Sequence, residues 1–211
     1  MKTHIHFLFI LWFAVSFPLQ FFAQDPLLKG TNSWIQTILQ GVGETVNGYS
    51  LPGNISGISM YQTEQGYNRL MITHDFPAAA GSTYPIENGL ILTGSRISYL
   101  DLDPVTNKPI DAGLPYFIIY DRHGKEVTNA IQINESGNDS AGFDHLSSSS
   151  LFLSGDYGFY DDIMLFGEGS EDGLAYAMDL QEGEIWAAPA LGRGAFHQFA
   201  AIVTDEGKIG L

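Results

Sequence analysis

AYAMDLQEGEIW, Ala175–Trp186, has the composition of a β-hairpin. An aromatic and aliphatic run leads to Asp179, a turn containing Gly183 follows, and a charged residue begins the return strand. An aspartate before such a turn caps it through its own side chain, and glycine supplies the positive φ. The same order recurs in SYLDLDPVTNKP (98–109), YFIIYDRHGKEV (116–127) and AAIVTDEGKIGL (200–211). We therefore predict successive antiparallel hairpins with turns near Gly124, Gly183 and Gly207.

Short aromatic-rich runs alternate with glycine, aspartate and asparagine along most of the chain, a pattern typical of a sandwich, barrel or propeller. Nothing after Val46 has sustained helical periodicity, so the predicted fold class is all-β. Further strands are expected at GISMYQT (57–63), NRLMITH (68–74), GLILTG (89–94), RISYLDLD (96–103), DIMLFGE (162–168) and FAAIVT (199–204). Hairpins that are too small to bury their own faces favour a radial arrangement, and we expect an incomplete β-propeller.

The N-terminal residues have the order of a secretory signal: Lys2, the apolar run FLFILWFAVSF, and then FFAQDP. The apolar run is shorter than the roughly 20 residues that a membrane-spanning helix needs. We therefore expect residues 1–24 to be a signal peptide, and the protein to be periplasmic or extracellular without a membrane anchor. Residues 25–48 are assigned to an N-terminal segment and residues 49–211 to the β domain. The last hairpin has a very short return strand, so this domain is expected to be incomplete at its C-terminus.

The chain of 211 residues carries 24 acidic and nine basic residues, a formal net charge of −15, and has no cysteine. Loss of residues 1–24 removes one lysine and no acid, which leaves 8 basic against 24 acidic residues and a charge of −16. Nucleic acid and anionic membranes are not expected partners, because affinity for both depends on basic contacts. The absence of cysteine excludes disulfides and thiolate zinc sites. Dense carboxylates suit Ca²⁺, although a solvated acidic surface is an equally good interpretation.

The stretch RLMITHDFP (69–77) places two polar residues where an expected strand ends. His74 and Asp75 follow five residues that have the composition of a buried strand. Asp75 in this position is either a metal ligand or a turn former.

Other candidate residues lie further along the chain. Glu168, in YDDIMLFGEGSEDG, leaves a strand in a glycine-flanked loop that can bring a carboxylate to a cation, although the same loop is also an ordinary acidic turn. His197, in AFHQF, lies at another strand end. His145 precedes four serines, but the sequence identifies no acid partner that would complete a Ser-His-Asp arrangement.

Two long blocks carry a resemblance to a known family: LILTGSRISYLDLDPVTNKPIDAGLPYFIIYDRHGKEV (90–127) and GFYDDIMLFGEGSEDGLAYAMDLQEGEIWAAPALGR (158–193). From about Tyr49 to the end, the chain resembles the PhoX-like alkaline phosphatases, exported β-propeller enzymes that use iron and calcium. The resemblance implies a propeller fold, calcium and iron as cofactors, and a small phosphorylated substrate. Family membership alone does not establish activity.

Carried over residue by residue, the resemblance implies Asp75, Glu168 and His197 as metal ligands. Arg96, in TGSRIS, is a candidate contact to phosphate, and a structural role for it is an equally good interpretation. Asp75 keeps a carboxylate, on a shorter arm, at a strand end where the family tends to have Asn-His-Glu. Gly169 replaces the second acid of the family's Gly-Glu-Glu, and a His-Gln pair that begins at His197 replaces Glu-Asn. Serines occupy the region of the family's cysteine. A ferric centre needs several anionic ligands, so these changes weaken it.

Three functions are compatible with these observations. The first is a secreted metal-dependent phosphomonoesterase, in which cations offset the charge of the transferring phosphoryl group. The second is a non-catalytic β-propeller fragment or binding module that has lost the metal centre, which the altered ligand positions favour. The third, a calcium-stabilised surface protein that binds glycans, rests only on acidity and aromatic content.

Overall fold

A four-stranded and a five-stranded sheet carry most of the fold. The computed structural model describes residues 45–133, 142–205 and 209–211, so the predicted signal peptide and the turn at Gly207 lie outside the described residues. The described strands are β1 (Thr45–Val46), β2 (Tyr49–Ser50), β3 (Ile55–Gln62), β4 (Asn68–His74), β5 (Tyr84–Pro85), β6 (Ile91–Leu92), β7 (Arg96–Leu102), β8 (Pro109–Gly113), β9 (Ile118–Tyr120), β10 (Leu146–Phe152), β11 (Ile163–Glu168), β12 (Ala175–Asp179), β13 (Glu184–Ala187), β14 (Ile202–Val203) and β15 (Ile209–Gly210).

The helical content of the described ranges is limited to short 3₁₀ turns. They span Ala130–Gln132, Asp156–Gly158 and Pro189–Leu191. Within the same ranges, no helix is both long enough and apolar enough to cross a membrane.

The four-stranded sheet has the order β3-β4-β7-β8, and all its neighbouring strands are antiparallel. NRLMITH was predicted as a strand and forms β4 with the same bounds. Side chains alternate between the two faces of a strand, and each face of β4 and β7 is buried. Met71 and Ile97 face the main core. Ile72 and Leu100 pack on the opposite face, together with residues of the β1–β2 hairpin.

The five-stranded sheet has the order β10-β11-β12-β13-β9. The hairpin predicted at Gly183 is confirmed, since β12 and β13 pair antiparallel and Gly183 has a φ of +63°. The turn at Gly124 is also confirmed, and its N–H donates to the carbonyl of Asp121 at 2.9 Å. The return strand after it is a single bridge between Tyr120 and Glu126, and β9 instead pairs parallel to β13.

The main core is built around a cluster of aromatic rings from both sheets and the segments between them. Phe143 lies at its centre and makes edge-to-face contacts with Tyr116, Phe166 and Tyr176 at centroid distances of 5.1–6.3 Å. Phe166 and Tyr176 are cross-strand neighbours and stack at 5.3 Å. Such pairs contribute about 0.5–1.5 kcal/mol beyond the area they bury.

The prediction of a β-rich chain built largely of antiparallel sheets is confirmed. None of the sheets formed by the described residues closes on itself. The radial arrangement of a propeller therefore stays a prediction. Four strands were not predicted: the short strands β1, β2 and β5, and the seven-residue strand β10, LSSSSLF, which lies at the edge of the five-stranded sheet and contains the serine run.

Candidate functional site

Asp75 forms a hydrogen bond with His145, a residue for which the sequence had identified no acid partner. The carboxylate Oδ1 of Asp75 lies 2.7 Å from Nδ1 of His145, and both side chains are more than 40% exposed. The chain brings them together through backbone pairing, because the N–H of His145 donates to the carbonyl of Phe76 at 2.8 Å. His145 has a φ of +49°, a left-handed conformation that is uncommon outside glycine.

Glu168 is the last residue of β11, and only 1% of it is exposed. Its two carboxylate oxygens accept the backbone N–H groups of Asp144 at 2.9 Å and Leu174 at 3.0 Å. Burial raises the pKa of Glu168 to about 7, although the two N–H donors lower it. Both carboxylate oxygens are therefore hydrogen-bonded to the backbone, and the carboxyl group changes its protonation state near neutral pH.

His197 follows a residue that is tied to the backbone of Glu168. The N–H of Phe196 donates to the carbonyl of Glu168 at 2.9 Å, while His197 itself is exposed. Asp75 and Glu168 both contact the Asp144–His145 segment, through the hydrogen bond between Asp75 and His145 and the bond from the N–H of Asp144 to Glu168. Two of the three predicted ligands thus contact one stretch of chain, whereas His197 is connected to Glu168 only through the backbone of its neighbour Phe196.

The residues in this region do not fit an iron–calcium centre. Within residues 45–133, 142–205 and 209–211, no group of three His, Asp or Glu side chains could hold a metal ion. Glu168 already accepts two backbone N–H bonds, and Asp75 is paired with His145. A ferric ion requires several anionic ligands that are free to coordinate it, and these carboxylates are committed to protein donors.

Arg96, the predicted phosphate contact, is the first residue of β7 and is 6% exposed. Its guanidinium lies over the ring of Tyr84 at 4.0 Å, and Nη2 donates to the carbonyl of Ser82 at 2.8 Å. The buried Nε has no hydrogen-bond partner among the described residues. Tyr84 is fixed in turn, because its hydroxyl donates to the carbonyl of Ser95 at 2.9 Å.

A chain of neutral polar groups lies beside Arg96. His74 is the cross-strand partner of Arg96. Burial, together with the charge of Arg96, lowers the pKa of His74 to about 4. Because neutral His74 uses Nδ1 to donate to the carbonyl of Gly53, its Nε2 accepts from the Ser98 hydroxyl at 3.0 Å. Ser98 then accepts from the hydroxyl of Tyr49 at 2.7 Å. None of these neighbours supplies a negative charge to Arg96.

Two of the tyrosines around Arg96 also line a cavity of about 370 Å³. They are Tyr49 and Tyr84, and the remaining lining residues are Pro85, Ile86, Glu87, Leu114, Tyr116 and Phe117. This volume lies within the range of small-molecule sites, which are concave and mostly apolar with a few polar groups that fix orientation. The sequence gave no indication of this cavity, because its walls come from separate segments.

Comparison with protein-family models, with curated proteins and with solved structures finds no match for this chain.

Proposed function

We propose that the chain is an exported, non-catalytic binding module whose sheets are blades of an incomplete β-propeller. The observation that carries the loss of catalysis is the state of Glu168, a buried carboxyl whose two oxygens both accept backbone N–H bonds. The blade assignment is supported by strand order. Strands β10 to β13 are neighbours in sequence order, as in an antiparallel four-stranded blade.

Glu168 is a poor metal ligand for two reasons. Coordination requires a deprotonated carboxylate with a free lone pair, and burial raises the pKa of this group to about 7. A cation at Glu168 would also have to displace or share the bonds from Asp144 and Leu174, and the released N–H groups would be left buried and unpaired. These bonds tie β11 to two loops, which is a structural role.

Metal supply and a generic phosphomonoester test this proposal directly. The full chain is purified, incubated with iron and Ca²⁺, freed of loose metal, and assayed for bound metal and for hydrolysis. We expect no stoichiometric metal and no hydrolysis above that of buffer. Hydrolysis that Glu168→Gln abolishes would instead establish the phosphomonoesterase, with Asp75, Glu168 and His197 as ligands.

Export is tested separately from catalysis. The N-terminal sequence of material recovered outside the cytoplasm should begin within a few residues of Asp25, because FFAQDP follows an apolar run too short to span a membrane. Recovery of the chain with Met1 in place would contradict the signal-peptide assignment.

A further inference from the structure

We propose that a polar cavity formed by two hairpin turns binds a neutral oligosaccharide. The cavity has a volume of about 360 Å³, and its walls come from the turn that joins β3 to β4 and the turn that joins β12 to β13. Asp162, just before β11, also lines it, so the cavity lies at the opposite end of β11 from Glu168. This inference rests on the proposed binding function and deepens it by naming a site and a ligand class.

Three half-buried lining residues, Tyr61, Arg69 and Asp162, are fixed by contacts with the rest of the fold. Tyr61 packs against the main core. Arg69 donates two bonds to Asp101 at 2.6 and 2.7 Å, and Oδ1 of Asp162 accepts the N–H of Ser154 at 2.8 Å. A ligand therefore does not have to order these side chains, which lowers the entropic cost of binding.

The two turns add hydrogen-bonding groups that are not committed to the protein. Gln65 and Gln181 are exposed lining residues, and neither side-chain amide has a hydrogen-bond partner among the described residues. Each amide offers two N–H donors and an acceptor oxygen, and the exposed carboxylate of Glu64 offers further acceptors. A sugar hydroxyl both donates and accepts, so neighbouring hydroxyls of a sugar ring match this mixed set.

The charges of the lining disfavour an anion. The charged lining residues are Glu64, Arg69 and Asp162, and Arg69 is already paired with Asp101. The remaining charge is negative, like the net charge of −15 for the whole chain, so the cavity repels anions. A sugar uses the rest of the lining as well, because its hydroxyls can bond to the amides while its C–H groups pack on the Tyr61 ring.

The experiment measures the binding of neutral oligosaccharides to the full chain by calorimetry at physiological salt. The probes are cellotetraose, maltotetraose, laminaritetraose and xylotetraose. Sorbitol is the control for a polyol without a ring, and spermidine tests for a cation site. We expect at least one tetrasaccharide to bind with a Kd of about 1 mM or below, and no binding of sorbitol or spermidine in this range. Failure of all four tetrasaccharides to bind, with or without binding of spermidine, would overturn the proposal.

A double variant assigns the binding to the cavity. Gln65→Ala/Gln181→Ala should weaken binding of the tetrasaccharide at least about fivefold, the loss expected when two hydrogen bonds are removed. Both residues are exposed, so the variant should keep the melting temperature of the wild type. Gln198→Ala makes the same change at an exposed residue outside the lining and should leave the affinity unchanged. Unchanged affinity in the double variant would place the sugar elsewhere and refute the site.

Glu64→Gln separates recognition by hydrogen bonds from recognition by charge. The change removes a negative charge from the lining but keeps an acceptor oxygen, so the affinity for the sugar should change by less than about threefold. It should also be insensitive to salt. A loss of about tenfold or more, together with weaker binding at high salt, would show that the ligand is recognised by its charge.

The result is independent of the hydrolysis assay, because the cavity and Glu168 lie at opposite ends of β11. An active centre at Glu168 would refute the non-catalytic function and leave the binding of the tetrasaccharide unchanged. Absence of both hydrolysis and tetrasaccharide binding would refute this ligand class alone.

Discussion

Arg69 and Arg96 lie at opposite ends of the same pair of strands, and their guanidinium groups have different hydrogen-bond partners. Arg69 on β4 is opposite Asp101 on β7, whereas Arg96 on β7 is opposite His74 on β4. Each guanidinium lies over a tyrosine ring, Arg69 over Tyr99 at 4.3 Å and Arg96 over a second tyrosine at 4.0 Å. Arg69 also donates two bonds to Asp101, at 2.6 and 2.7 Å. Arg96 has no carboxylate partner among the described residues.

This difference separates an arginine that is paired with a carboxylate from one that, among the described residues, is not. The bidentate bond to Asp101 uses the fork of Arg69 fully and is the main reason that the pKa of Arg69 is raised. The same geometry at Arg96 would need an anion from outside the described residues. Arg69 thus has the carboxylate partner that the Nε of Arg96 lacks among the described residues.

The largest effect is expected from Arg69→Met. This change leaves the carboxylate of Asp101, which is 4% exposed, buried without its partner. Breaking one side of a buried pair costs about 3–5 kcal/mol, and denaturant unfolding should show a loss of this size. Arg122→Met, at an exposed position, should stay within about 0.5 kcal/mol of the wild type.

The double variant Arg69→Met/Asp101→Leu serves as the control for this prediction. Replacing both charges with apolar groups removes the unpaired carboxylate, so most of the lost stability should return. A loss below about 1 kcal/mol in Arg69→Met would show that the pair is not structural, and the contrast with Arg96 would fail.

The sequence predicted the strands that have strong apolar patterns. It missed β10, which has no such pattern. β4, β11 and β12 carry runs of aliphatic and aromatic residues and were expected within about two residues of their observed ends. β10 could not be recognised, because serine has little preference for strands. Its serines are held by tertiary bonds instead: Ser147 and Ser150 donate to carbonyl groups of the chain after β13.

The second prediction concerns Glu168, whose burial favours the protonated form although its oxygens accept two backbone N–H bonds. Its pKa in the folded protein is about 7 against an ordinary value of 4.5. The folded state therefore holds a proton that the unfolded state has lost between these pH values. The resulting stability is complete below about pH 4.5 and lost as pH rises through 7, a change of about 3 kcal/mol.

Glu168→Gln isolates this dependence from that of other groups. His74 acts in the opposite direction, because its folded pKa of about 4 lies below the ordinary 6.5 and its contribution is lost as pH falls through 4. The difference in unfolding free energy between Glu168→Gln and the wild type should therefore be measured across pH 4.5–7. It should move in favour of the variant as pH rises, and a flat difference would contradict a buried protonated carboxyl.

The third prediction is a small effect of Arg96→Met on stability in a buffer free of carboxylate and phosphate. The variant loses the stacking on Tyr84 and the bond to Ser82, but it also removes an unpaired buried Nε. Replacing poorly compensated buried charge with an apolar group is often neutral or stabilising. Denaturant unfolding should give a change within about 1 kcal/mol, much less than for the same substitution at Arg69.

The sequence identified Asp75, Glu168 and Arg96 as individual residues but could not predict their partners. His145, which pairs with Asp75, is 70 residues away along the chain. The two meet because the N–H of His145 bonds to the carbonyl of Phe76, a long-range contact that no local pattern records. In the same way, no local pattern records that the guanidinium of Arg96, at the start of β7, packs on the ring of Tyr84 in β5.

The smallest effect, and the most local, is on the pKa of His74. Burial is the main cause of its low value of about 4, and the positive charge of Arg96 adds to it. Arg96→Met should therefore raise the pKa of His74, because it removes the positive charge that helps to lower it. The ring signals of His74, assigned by their loss in His74→Asn, can be followed by NMR across the pH range in which the protein is folded. Arg122→Met should leave them unchanged, since Arg122 is not among the groups that perturb His74. An unchanged pKa of His74 in Arg96→Met would show that the charge of Arg96 does not act on this ring and would contradict the prediction.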